Sequence, residues 1–432
     1  MDAVRYDGVP REPVMPAATL HSSAAVAPPF RQDAAVMGLV GLAHCISHFS
    51  QLLLPPLFPW LMPAFHLNYA EVGTLLTIFF IVSCAVQAGS GFLVDRLGPR
   101  PVLFGGLGLI SLAAFGYASS TSYAMLAGFA VVAGVGNGVF HPVDYTLLNR
   151  KVHTSRLGHA FSVHGITGSL GWALAPAMMV SIALAFSWRA ALASAGGLTL
   201  VVLGVLWFNR SHLSIDMTGA ARPAAQARGP AKEGDFAFLG IPAVWMCFGF
   251  FFFYAVVLGG VQAYAPEAAR VLHNVPTRWA GLCLSFFMVA SAGGMVLGGF
   301  LAADPSRCEK IVGVGFGLAA VVALTIGFAP LTPAAVPVLF VLMGAATGIA
   351  GPSRDLIVKR AAPPGATGRV YGVVYSGLDI GQAMAPLMFG PLMDMHRPSD
   401  VWLGIAIVQV ILIASAFNVR NVRRTVLSPI AT

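Results

Sequence analysis

Runs of about 20 apolar residues, the length a helix needs to cross a bilayer, recur along this chain between short polar segments. The runs are rich in Leu, Ala, Val and Gly and lack the apolar/polar alternation of an outer-membrane strand, so they predict helices rather than a β-barrel. At 57% hydrophobic and 10% charged residues over 432 positions, the chain departs from a soluble domain, which is about 45–50% apolar and about 25% charged. The apolar residues suffice for about twelve spans.

A window of about 19 residues places six spans near Val36–Leu61, Val72–Leu93, Val102–Ala118, Ala124–Leu148, Ala160–Ala183 and Ala190–Phe208. Six more fall near Pro242–Ala263, Ala280–Ala302, Ile311–Phe328, Ala335–Val358, Val370–Leu392 and Val401–Phe417. The expected organisation is a disordered tail (1–34), a six-helix bundle (35–208), a linker (209–237), a second six-helix bundle (238–418) and a short tail (419–432). An all-α membrane protein of two six-helix halves follows. The first residues lack the apolar core of a cleaved signal peptide.

The net charge of +8 reports orientation rather than a nucleic-acid partner, because the basic residues sit in short loops. Of the 25 Lys and Arg, twenty fall on the side of the termini and linker, four (Arg189, Arg270, Arg278, Arg397) on the other, and Arg354 at a helix end. That asymmetry predicts cytoplasmic termini and an inner-membrane location. The cysteines Cys45, Cys84, Cys247, Cys283 and Cys308 are scattered and odd in number, which indicates neither a disulfide framework nor a thiolate metal site. No cofactor and no metal are expected, and no Gly-Lys-Ser/Thr phosphate loop for driving transport by ATP is present.

A shift of 210 residues superposes spans 4 and 5 on spans 10 and 11 without a gap. Gly134, Gly138, Pro142, Gly171, Ala175 and Pro176 meet Gly344, Gly348, Pro352, Gly381, Ala385 and Pro386. A duplicated six-helix half is the architecture of a rocker-type secondary transporter, with substrate held between the halves near the midplane. Pro142 and Pro352 each clash with a carbonyl four residues back, which belongs to glycine in both copies. The pair reads as a gating hinge or as a static kink. Pro55, Pro56 and Pro59 predict a break in span 1.

Between spans 2 and 3 the run GFLVDRLGPRPVL, Gly91 to Leu103, resembles the G-x-L-x-D-R-x-G-[RK]-[RK]-x-x-L signature of the major facilitator superfamily, with Pro99 in place of the first basic residue of the pair. A decayed copy, GFLAADPSRCEK, lies between spans 8 and 9 and includes Asp304. The runs GLAHCISHFSQLLLPPLFPWL, GVGNGVFHPVDYTLL and FSVHGITGSLGWALAP narrow the resemblance to the fosmidomycin-resistance branch of proton-driven exporters, over Ala34 to Arg424. Span 4 lacks the arginine that many proton-coupled drug exporters carry, and Ala175-Pro176 replaces the Gly-Pro of the antiporter signature. The resemblance implies the major facilitator fold, alternating access, and a gating role for Gly91, Asp95, Arg96, Gly98 and Arg100, with the Asp95 charge answering the N-terminal end of span 11.

Ionisable and amide side chains inside a span are costly and mark function. Span 1 carries His44, His48 and Gln51, and span 4 carries Asn137, His141 and Asp144, each set forming one helical stripe at i, i+4, i+7. Span 5 adds His164, span 7 Tyr254 and Gln262, span 10 Arg354, and span 11 Tyr371, Tyr375, Asp379 and Gln382. The resemblance implies that spans 1, 4, 7 and 10 line the cavity. Imidazoles titrate near neutral pH and a desolvated carboxylate is drawn toward its neutral form, so Asp144 and Asp379 are candidate proton carriers. The 210-residue shift also matches Asp144 with Arg354, which either pair across the halves when the gate closes or leave Arg354 beside Asp355 at a solvated helix end. Interhelical packing bonds are the competing reading of both stripes.

The expected function is proton-coupled export of a small organic anion or drug by a monomer whose partners are substrate, protons and lipid. Proton-coupled uptake by symport is the alternative. A remote third is a membrane-embedded metalloprotein using His44 and His48, since helical i, i+4 histidines bind zinc.

Overall fold

The structure, a computed structural model, describes the backbone of residues 30–215, 240, 242–302, 307–361 and 367–427, and their side chains except 243, 355–373, 375 and 418–427. Most of the predicted N-terminal tail and linker, Asp304, and the side chains of Asp355, Tyr371 and Tyr375 lie outside the described residues.

The first half begins with α1 (Phe30–Gln51), which the prolines of the first span end as expected: a 3-10 turn at Pro55–Leu57 re-aims the chain into α2 (Phe58–Phe65). A capping box then opens α3 (Tyr69–Leu97), with Asn68 Oδ1 accepting from the Glu71 N–H and Glu71 Oε2 from the Asn68 N–H, both at 2.8 Å. Gly98 stops α3 at φ 83°, a conformation that favours glycine. Pro99 follows at the first position of α4 (Pro99–Ser119), where a missing N–H costs nothing. The loop departure from the superfamily pattern at Pro99 is therefore a helix start.

Span 4 is two helices, α5 (Tyr123–Asn137) and α6 (Phe140–Lys151), parted at Gly138. The half closes with α7 (Leu157–Ala185) and α8 (Trp188–Phe208). The second half comprises α9 (Pro242–Ala263), the short α10 (Ala265–His273), α11 (Thr277–Leu301), α12 (Cys308–Phe328), α13 (Ala335–Ala361), α14 (Thr367–Asp394) and α15 (Pro398–Leu427). Among the described residues eleven helical segments are long and apolar enough to cross a bilayer; α14 is the twelfth by position. Both ends of the helical region therefore lie on one face.

The halves repeat one another in packing. α1 lies on α7 as α9 lies on α14, α3 on α5 as α11 on α13, and α4 on α8 as α12 on α15. The duplicated glycines sit at these seams: a Cβ at Gly138 would lie 2.5 Å from the Ser83 carbonyl oxygen, and one at Gly348 2.1 Å from that of Ser291. Close approach, more than flexibility, accounts for glycine there.

The matched prolines do not bend their helices alike. α13 runs unbroken through Pro352, whereas span 4 parts near Pro142. Thr347 donates back to the Met343 and Gly344 carbonyls of its own turn, while the corresponding Asn137 reaches out to neighbouring helices. The halves join through α3 on α14 and α7 on α11.

Candidate functional site

A chamber of about 260 Å³ lies between the halves. His48 and Gln51 of α1, His141 of α6 and Trp172 of α7 line one wall; Tyr254 of α9, Arg354 of α13, and Asp379 and Gln382 of α14 line the other. His48, Gln51 and His141 of the span-1 and span-4 stripes thus meet residues of the second half around one space, whereas His44, Asn137 and Asp144 of the same stripes do not line it.

Behind the first wall, Asp144 is wholly buried. One of its oxygens, Oδ2, lies 3.0 Å from His44 Nδ1 and 3.1 Å from His164 Nε2. The His164 contact is an aligned hydrogen bond, while the His44 nitrogen approaches off line, as an ion-pair contact only. The His44 and His164 rings stack at 3.5 Å between centroids, and His48 packs on Trp172 at 4.2 Å. Asp144 does not line the chamber, and Arg354 lies with its guanidinium 4.3 Å from the Tyr254 ring centroid and 5.5 Å from that of Phe251. The cross-half pair of Asp144 with Arg354 is not made in this structure, since the imidazoles already answer the carboxylate.

Asn137 is the hub of an amide network. Its Oδ1 accepts from Ser47 Oγ at 2.8 Å and Gln51 Nε2 at 3.4 Å, and its Nδ2 donates to Ser83 Oγ at 2.9 Å. Gln51 Oε1 accepts from Trp172 Nε1 at 2.9 Å. In the second half Gln382 Nε2 donates to Gln262 Oε1 at 3.0 Å. Asp379 Oδ2 accepts from Gln87 Nε2 of α3 at 3.1 Å, across the halves. Trp172, Ser83 and Gln87 were not singled out by sequence; an uncharged polar residue one or two turns from a glycine stripe is a faint signal.

The face opposite the chain ends is sealed. Asp394 at the end of α14 accepts from the first two N–H groups of α3, those of Tyr69 at 2.7 Å and Ala70 at 2.9 Å. Tyr69 Oη donates to Glu267 Oε1 at 3.0 Å, and Arg270 grips the Glu267 carboxylate with two bonds of 2.7 Å. Toward the terminus-bearing face, by contrast, the chamber residue Gly165 is exposed, with nothing within 4 Å of a Cβ built there. On that face Asp95 and Arg96 are exposed, Arg100 Nη1 donates to Ser214 Oγ at 2.7 Å, and the first side chains of α14, which Asp95 was expected to answer, lie outside the described residues.

Two six-helix halves, a chamber at their interface with polar side chains set into largely apolar walls, and a seal at one end define a membrane transporter and not an enzyme. A family model described as Major Facilitator Superfamily matches residues 40–386, and the chain belongs to that superfamily. It is 25% identical over 300 residues to the fosmidomycin resistance protein of Escherichia coli K12, covering 67% of this chain and 70% of that protein. It is also 25% identical over 407 residues to a probable nitrate/nitrite transporter of Mycobacterium tuberculosis (92% and 98%), and 25% identical over 312 residues to a human voltage-gated purine nucleotide uniporter (67% and 70%). The crystal structure of a bacterial homologue of the human lysosomal transporter Spinster superposes with a TM-score of 0.73 at 15% identity, over 91% of this chain and 98% of that one.

Proposed function

We propose that this chain is a proton-coupled secondary transporter of a small organic anion, working by alternating access, with its termini in the cytoplasm. The observation that carries the coupling is the Asp379 carboxylate, which lines the chamber and is held by Gln87 of the other half. Protonation removes the charge from that hydrogen bond and weakens it, so the state of one carboxyl group bears directly on how firmly α3 holds α14. Arg354, stacked on Tyr254 in the same wall, is the cation for an anionic guest. Two of the relatives are named for anions, nitrate or nitrite and purine nucleotides.

Charge orders the loading. An anion beside Arg354 and an ionised Asp379 repel each other within one chamber of about 260 Å³, so the anion enters most readily when Asp379 is protonated. Proton and anion then travel together, which is the symport reading of the sequence. Export by exchange with protons is the second reading, supported by the relative named for fosmidomycin resistance.

The test is proton flux in proteoliposomes under an imposed pH gradient, with fosmidomycin and a panel of small organic anions as candidates. Proton movement triggered by an anion and abolished in Asp379→Asn is the expected result. Movement in the direction of the anion supports symport, and movement against it supports export. Anion-driven proton flux that survives Asp379→Asn removes Asp379 from the mechanism.

A further inference from the structure

The pocket behind the first wall holds donors that the transport reading leaves unused. His44, His141 and His164, from α1, α6 and α7, each offer one nitrogen such that all three nitrogens lie within 4.8 Å of one another. The Asp144 carboxylate stands beside that group rather than within it, touching His44 and His164 through one oxygen only. Its other oxygen, Oδ1, and the Nδ1 of His141 are buried without a hydrogen-bond partner. Buried polar atoms are normally satisfied, and orphans grouped in one pocket point to a missing partner that accepts lone pairs from several sides. A metal cation does that.

We propose that His44, His141, His164 and Asp144 form a binding site for one divalent transition-metal ion of the Zn²⁺ class, reached from the chamber past His141. Three imidazoles and one carboxylate are the donor set and number of a tetrahedral zinc site. Bonds of about 2.0–2.1 Å place ligand nitrogens about 3.4 Å apart, so side-chain rotations that draw the three nitrogens in from within 4.8 Å bring the imidazoles to bonding distance, and the unpartnered Oδ1 of Asp144 turns in as the fourth donor. The donors also select the ion: imidazole suits Zn²⁺, Ni²⁺, Co²⁺ and Cu²⁺, whereas Mg²⁺ and Ca²⁺ call for oxygen. One negative charge offsets half of the ion's charge. Access comes from His141, which is only part-buried and lines the chamber.

The site differs from the helical pair that sequence offers. His48 packs between His44 at 4.3 Å and Trp172 at 4.2 Å without offering a nitrogen to the group, so the i, i+4 partner of His44 is replaced by residues of two other helices. All four ligands belong to one half, and the ion rides with that half instead of clamping the two together. Neither Asp379 nor Arg354 takes part, so the site stands or falls separately from the transport reading.

Isothermal titration of the full-length protein in detergent with ZnCl₂ tests this, with metal content measured after gel filtration. One Zn²⁺ per chain is expected, with MgCl₂ giving no heat. His141→Gln and His164→Gln each weaken binding at least about tenfold, and the exposed His159→Gln leaves it unchanged. His141 is the least enclosed ligand, so its variant reports even where His164→Gln does not fold. Absence of stoichiometric Zn²⁺, or binding unaltered in the ligand variants, overturns the proposal, whatever the proteoliposome assay shows.

Discussion

At the scale of single residues, the tightest constraint on the histidine pocket is a side chain that is absent. A Cβ at Gly168 would lie 2.8 Å from both Nδ1 and Cε1 of His48 and 3.0 Å from Nε2 of His44. A methyl there would press on rings that already have neighbours on their far sides, His48 against Trp172 and His44 against His164. Gly168→Ala is therefore expected to cost about 1–3 kcal/mol as an overpacked core, read as a lowered midpoint in thermal denaturation of the purified protein. Gly165→Ala, one turn away with open space around it, should leave the midpoint unchanged. The sequence showed the stripes, because i, i+4, i+7 spacing fixes a common face within one helix. It did not show that His164 rather than His48 stacks on His44, that Trp172 completes one wall or that Gln87 holds Asp379, because those depend on how neighbouring helices are rotated about their axes.

Between elements, the repeat was legible and its asymmetry was not. The prolines at 142 and 352 and the glycines four residues earlier match in both copies, yet only span 4 is parted. The two copies also differ at Asn137 against Thr347, one side chain bonding outward and the other back to its own turn. The glycines serve both halves alike as contact points. Gly348→Ala would set a methyl 2.1 Å from a backbone oxygen of α11, which cannot rotate away as a side chain can. Loss of most folded, monodisperse protein on size-exclusion chromatography is the expected outcome. Gly293→Ala, on α11 with nothing within 4 Å, is the matched control and should elute as the parent does. A normal profile for Gly348→Ala would show that α13 can shift off α11 at little cost.

For the whole molecule, the structure is held closed at one face by a carboxylate rather than by bulk packing alone. Asp394 satisfies the first N–H groups of α3 from the other half, at the positive end of that helix. Such caps contribute about 0.5–2 kcal/mol. That bond set has to break whenever this sealed face opens, so it weights the equilibrium between the two open states. A change of about 1.4 kcal/mol moves such an equilibrium tenfold. Asp394→Ala should accordingly shift the population away from the state open at the terminus-bearing face. A cysteine placed at Gly165, in a background without the five native cysteines, reports that state by its rate of alkylation with a water-soluble maleimide. The rate is expected to fall about two- to tenfold in Asp394→Ala. An unchanged rate would mean that Glu267, Arg270 and Tyr69 seal the face without help. Nothing in the hydropathy pattern marked Asp394, since an acid at a span end reads as an ordinary loop residue until the facing half brings a helix start onto it.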